Sequence, residues 1–219
     1  ACVPQSPMIQ TSSPSELAGM AWPVGETYII DGEQSGFRVR VGAAGPLAVL
    51  GHAHIIGSEA ITGQVVIAEP WQHSAFELQF DVDDLQVDPP QWRRRADLEG
   101  TLSEEAIAGT TSNMRSASQL NADQFPTITL RSHEITGSID QPIVEVDVTV
   151  AGRTTRQGIS TNLEVNGQTL IVSGIALWQL TGLGIQPFSA LGGGLRVADE
   201  IELRFTLYAT SGNDQSIGD

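Results

Sequence analysis

Lysine is absent from these 219 residues, so all eleven basic side chains are arginines. That excludes Schiff-base chemistry, a phosphate-loop lysine and a lysine general base. Cysteine occurs once, at Cys2, so no internal disulfide can form and a catalytic thiolate in a Pro/Ser-rich end has no site around it. Aromatic residues make up only 5% of the chain, and no apolar run approaches the ~20 residues of a membrane-spanning helix. Positive charge is scarce: the formal net charge is −15. Such a surface repels nucleic acid and anionic lipid headgroups, so neither is expected as a partner. No Gly-x-Ser-x-Gly elbow and no Gly-rich strand-to-helix fingerprint is present. Catalysis is not what this composition suggests, and no catalytic residue is assigned.

What is present is strand-forming sequence. Residues 1–24 are rich in Pro, Ser, Thr and Gln without apolar period and read as a flexible tether, and residues 211–219 as a polar tail. Between them, 25–210 carries short alternating segments. Phe37, Val39 and Val41 alternate with Arg38 and Arg40; Phe76, Leu78, Phe80 and Val82 alternate with Glu77, Gln79 and Asp81. Val144 to Val150 and Ile201 to Leu207 make two more one-sided strands, and Asn166-Gly167 suits a hairpin turn. A single helix is expected from a capping box, Thr101 as N-cap and Glu104 as N3, running to Ser116. The run Arg93-Arg94-Arg95 reads as a solvated face pairing with acidic neighbours. Many strands with one helix between them imply an antiparallel sheet that curls or closes on itself.

The most specific polar feature is Leu50-Gly51-His52-Ala53-His54-Ile55-Ile56-Gly57, which holds two of the four histidines. As a strand it places His52 and His54 on one face, Cα atoms ~6.5 Å apart. Three readings are open. The imidazoles could ligate a metal or haem, although His73, His133 and the carboxylates lie at no diagnostic spacing for completing the shell. One could hydrogen-bond the polar head of a bound molecule. Or both are satisfied polar groups at a strand end, with no ligand at all.

The run Ser112-Asn113-Met114, then Leu120-Asn121-Ala122-Asp123-Gln124-Phe125-Pro126-Thr127-Ile128-Thr129-Leu130-Arg131-Ser132, resembles the central signature of the YceI-like proteins. Tyr28-Ile29-Ile30-Asp31 with Ser35 and Phe37, Val148 to Thr154, Gly184-Ile185 and Val197 to Ile201 fit other parts of that pattern. The resemblance implies a mainly β fold, an antiparallel lipocalin-like barrel with one interposed α-helix, in an exported bacterial protein. It also implies non-catalytic carriage of a long apolar molecule, isoprenoid or quinone-like, with no other cofactor. The pocket residues expected on that basis are Phe37, Val39, Val41, His52, His54, Phe76, Leu78, Phe125, Ile128 and Leu130. Ten buried methylenes at ~0.8 kcal/mol each would contribute roughly 8 kcal/mol, near micromolar affinity before ordering costs. The alternative is that these side chains fill a closed core, as in small barrels. The His52–His54 strand and the segment Leu183 to Leu195 depart from the commonest family pattern.

Ala1-Cys2 followed by Val3-Pro4-Gln5-Ser6-Pro7 resembles the start of a bacterial lipoprotein, which would give membrane association through an acylated Cys2. The expected setting is then the periplasm, with a homodimer or an envelope complex as a compatible assembly.

Overall fold

The computed structural model describes residues 22–98 and 100–212. The expected acylation site Cys2 and most of the tether and tail lie outside them.

The alternating segments form strands because β-branched and aromatic side chains pack on a pleated, half-buried surface. In chain order they are β1 (Gly25–Ile30), β2 (Gly36–Ala44), β3 (His54–Ser58), β4 (Thr62–Ala68), β5 (Ala75–Asp81) and β6 (Gln86–Val87). After the helices α1 (Pro90–Arg95) and α2 (Glu104–Arg115) come β7 (Thr127–Gly137), β8 (Pro142–Val150), β9 (Arg153–Asn166), β10 (Thr169–Gln179), β11 (Ser189–Ala190) and β12 (Leu195–Ser211). Eight of them, in the order β1-β4-β5-β7-β8-β9-β10-β12, make an antiparallel barrel that closes through Tyr28↔Ser211, Ile29↔Thr210 and Ile30↔Ala209. Closure removes the exposed sheet edges that an open sheet of this size would present.

Three further strands continue the wall on one side. β12 pairs with β1 only at its last residues, while the rest of that edge, from Arg196 to Thr206, pairs with β2. β2 then pairs with β3, and β3 with β6. At ~3.4 Å per residue the 17 residues of β12 span roughly 58 Å, and it is the spine on which both parts are built.

Interior alternation is strict in β8, where Val144, Val146, Val148 and Val150 are buried while Ile143 and Glu145 face outward. Val41, Ile128, Ile159, Trp178 and Ile201 join them in one cluster; Tyr28, Ile30, Ile61, Leu78, Leu170 and Leu207 form a second.

Several sequence expectations need correction. There are two described helices, not one: α1 opens with Pro90 at its first position, where the missing N–H costs nothing, and has no apolar period by which to see it. The longer helix begins two residues later than the capping box implies, because Ser103, not Thr101, accepts from the Ala106 N–H. The arginine run is not one solvated face, since Arg93 is buried while Arg94 and Arg95 are exposed. The segment Leu50 to Gly57 is not one strand either. Pairing with β2 starts only at Val41↔His54, and His52 lies in the preceding loop, so the two imidazoles do not share a strand face.

Candidate functional site

The barrel interior holds a cavity of about 310 Å³, within the range of pockets that hold small molecules. It is lined from seven of the eight barrel strands, all but β1, and from β2 and β3, because each strand turns alternate side chains inward and almost all of these are apolar. At one end lie Trp71, Ile139, Pro142 and Leu163, close to the hairpin turns. At the other lie Leu85, Met114, Leu120, Leu183 and Ile185, contributed by the connections that cross the barrel's end. The middle is walled by Phe76, Leu130, Val146, Leu203 and Phe205. Phe37 and Phe80 meet across it with ring centroids 4.6 Å apart.

Among the described residues no charged side chain lines this cavity, and the only hydroxyls in its lining are those of Ser74 and Thr161. Both are already engaged: Ser74 Oγ accepts from the Ala68 N–H at 3.0 Å, and Thr161 Oγ1 donates to the Pro142 carbonyl at 3.2 Å. A carboxylate or ammonium placed here would be desolvated without a partner, at a cost of several kcal/mol. The chamber therefore suits a neutral, predominantly hydrocarbon occupant.

Of the residues expected from sequence, Phe37, Val39, Val41, Phe76, Leu78, Ile128 and Leu130 all line the cavity. Phe125 does not. It sits in the turn before β7 and packs on Gly152, where the backbone has φ +73° and a Cβ would lie 2.4 Å from Phe125 Cζ. His52 and His54 do not line it either. His52 is exposed. His54 lies on the same side of β3 as Ile56, but its Nδ1 is 2.5 Å from Asp88 Oδ2. Sequence reasoning missed the lining from β8, β9 and β12, although the one-sidedness of Val144 to Val150 and Ile201 to Leu207 was visible. It also missed Leu183 and Ile185, whose segment carries no periodicity.

His54 belongs instead to a buried polar knot beside the barrel. Asp88, in the left-handed region at φ 54°, has a fully buried carboxylate. Its Oδ1 accepts from the Ile55 N–H at 3.0 Å and from Arg93 Nη1 at 2.8 Å, and Arg93 Nη1 also donates to the Ala53 carbonyl at 2.9 Å. Burial pushes the Asp88 carboxyl up, but hydrogen bonds from His54, Ile55 and Arg93, with the nearby His54 charge, outweigh it, and the net direction is down from the usual carboxylate value. This knot pins α1 and the start of β3 to each other. Next to it the Arg38 guanidinium stacks 3.3 Å over the Trp92 ring and pairs with Glu59. Among the described residues no group of three or more His, Cys, Asp or Glu side chains could hold a metal ion. His73 is exposed in a 3-10 turn, and His133 is at the surface against Arg156 and Asp147.

Solved structures with the same fold include BcnA of Burkholderia cenocepacia, with TM-score 0.58 and 14% identity over 83% of this chain and 99% of that one. A YceI protein of Campylobacter jejuni superposes with TM-score 0.51 and 8% identity over 72% of this chain and 85% of that one. At such identities the likeness is one of fold. No curated protein matches the chain in sequence. The YceI-like domain matches residues 28–209, from the first barrel strand to the last, and the chain belongs to that family.

Proposed function

We propose that this protein binds and carries a long, neutral, apolar molecule of the isoprenoid or quinone class inside its barrel, without making or breaking bonds. The observation that carries the reading is the barrel cavity of about 310 Å³ whose lining, among the described residues, has no charged group and only two hydroxyls, both spoken for. The closed barrel and the family fit a hydrophobic ligand-binding role. A flexible prenyl chain matches a chamber lined end to end by aliphatic and aromatic side chains, whereas a fatty acid would have to keep its carboxylate outside the wall. The periplasm is the proposed setting, with Cys2 as an acyl anchor; the Ala1-Cys2 pair and the Pro/Ser-rich stretch after it support this.

Native mass spectrometry of protein from its own host, paired with organic extraction, is the direct test. We expect a co-purifying neutral lipid. Val146→Trp, which places an indole in the cavity from a position 2% exposed, should remove it while leaving the barrel folded. Protein that carries no lipid, and that also binds no added prenyl alcohol or quinone, would end this reading.

A further inference from the structure

The barrel wall between β10 and β12 ends at the pair Gln179↔Glu200, but β12 and β2 run on beyond it. Residues 195–199 of β12, paired with the end of β2 through Val197↔Ala43 and Arg196↔Ala44 and with β11 through Ser189↔Arg196 and Ala190↔Leu195, form a short three-stranded ribbon beyond it. Two loops cap this ribbon, 45–53 between β2 and β3 and 191–194 before β12. The Leu47 N–H donates to the Gly194 carbonyl at 2.9 Å, which ties them into a single tip.

Two properties combine at this tip. The first is exposed aliphatic surface. Val49 is 88% exposed, Leu191 66%, Leu50 62% and Leu47 36%, on two loops that touch. Of the other large exposed apolar side chains among the described residues, Trp22 and Val24 precede β1, while Ile143, Val165, Ile175 and Leu177 lie on strands β8, β9 and β10 of the barrel wall. The second is charge. The chain has 26 acidic residues and a net charge of −15, yet neither 41–58 nor 184–198 contains a single Asp or Glu. The charged or titratable side chains within them are His52, His54 and the exposed Arg196. An acidic protein that keeps its acids off one protruding aliphatic tip has built a place where an apolar phase can approach without desolvating carboxylates.

We propose that this tip docks on a lipid bilayer, with Val49, Leu50 and Leu191 entering the headgroup–acyl boundary and Arg196 beside the lipid phosphates. Shallow wedging of aliphatic side chains is how interfacial segments hold a protein on a membrane, and the acidic body would stay in water. The same end of the barrel carries Leu183 and Ile185 in the cavity lining, joined to the tip through residues 186–190. Docking thus turns that end of the chamber toward the bilayer. Use of this orientation for cargo exchange rests on the lipid-carrier reading above, whereas docking itself does not require cargo.

The test is flotation of the full chain, produced without acylation of Cys2, on phosphatidylcholine vesicles, alone and with phosphatidylglycerol added. The wild type should float with phosphatidylcholine. Phosphatidylglycerol should weaken binding at low salt, since the body is acidic. The triple variant Val49→Asp, Leu50→Asp, Leu191→Asp should lose roughly 100-fold in partition coefficient, the consequence of withdrawing three aliphatic side chains from the interface. A triple Ser variant at the same positions should lose binding too, which separates lost apolar insertion from added repulsion. Ile175→Asp with Leu177→Asp, on the barrel wall, should float like the wild type. Near-ultraviolet circular dichroism and solution binding of a prenyl alcohol report folding and cargo independently of docking. The proposal is overturned if the wild type stays soluble at every lipid concentration, if the wall variant loses as much as the tip variant, or if the Ser variant binds fully. It is equally overturned if ultracentrifugation shows a dimer that the tip variant breaks while vesicles bind neither protein, which would make the tip a contact between copies.

Discussion

Replacing Asp88 with Ala is the sharpest probe of what holds the flank of the barrel together. The Asp88 carboxylate is fully buried and is the counter-charge to Arg93, itself 6% exposed, at 2.8 Å; it also receives the Ile55 N–H and faces His54 Nδ1 at 2.5 Å. Removing it strips a buried guanidinium of that partner and leaves a buried backbone donor unmatched. Breaking a buried pair by deleting one member costs about 3–5 kcal/mol, a large share of the ~5–15 kcal/mol that stabilises a typical domain. Urea unfolding followed by tryptophan fluorescence should show that loss, since Trp92 sits on α1 beside the knot and is 3% exposed. Arg93→Met in the same chain should recover part of it, because the buried cation that lost the Asp88 counter-charge is then gone. The pH dependence has a definite sign. The Asp88 carboxyl lies lower in the folded chain than its unfolded value near ~3.9, so its contribution is fully present above that value and is lost as pH falls through the depressed folded one. The wild type should therefore lose stability to acid below about pH 4, and Asp88→Ala should show less of that acid limb. A destabilisation under about 1 kcal/mol, with an unchanged acid limb, would refute this account of the knot.

Two further outcomes follow from backbone and side-chain geometry. Gly152→Ala should cost about 1–3 kcal/mol, because φ is +73° and the new methyl would collide with Phe125 Cζ at 2.4 Å; adding Phe125→Ala should relieve the collision but not the dihedral penalty, a non-additivity readable by thermal denaturation. Ser35→Ala should destabilise by about 1–3 kcal/mol, since the 2% exposed Ser35 Oγ accepts from the Tyr208 N–H at 2.9 Å and donates to the Tyr208 carbonyl at 3.2 Å where β1 gives way to β2; faster amide exchange around Tyr208 is the measurement that checks it.

Much of the barrel was legible in the chain itself. Alternation has period 2 whatever the sheet does at long range, so Phe37-Val39-Val41, Phe76-Leu78-Phe80 and Val144 to Val150 declared their strands and their inner faces locally. Chemistry excluded by composition, such as lysine catalysis, was likewise settled without coordinates. What sequence could not supply was convergence. Whether inward side chains fill a core or leave a chamber depends on the radius at which β1 and β12 close, which no single strand encodes. The histidine segment failed for a related reason: a run of apolar residues reads as a strand throughout, but pairing with β2 begins only at His54. His54 then answers to Asp88, 34 positions away, and Arg93 in a six-residue helix without periodicity. The tip is the same lesson in reverse. Its acid-free sequence was in plain view, but only the fold brings 45–53 and 191–194 together and carries them past the end of the wall, because strand pairing over long sequence distance decides which loops meet.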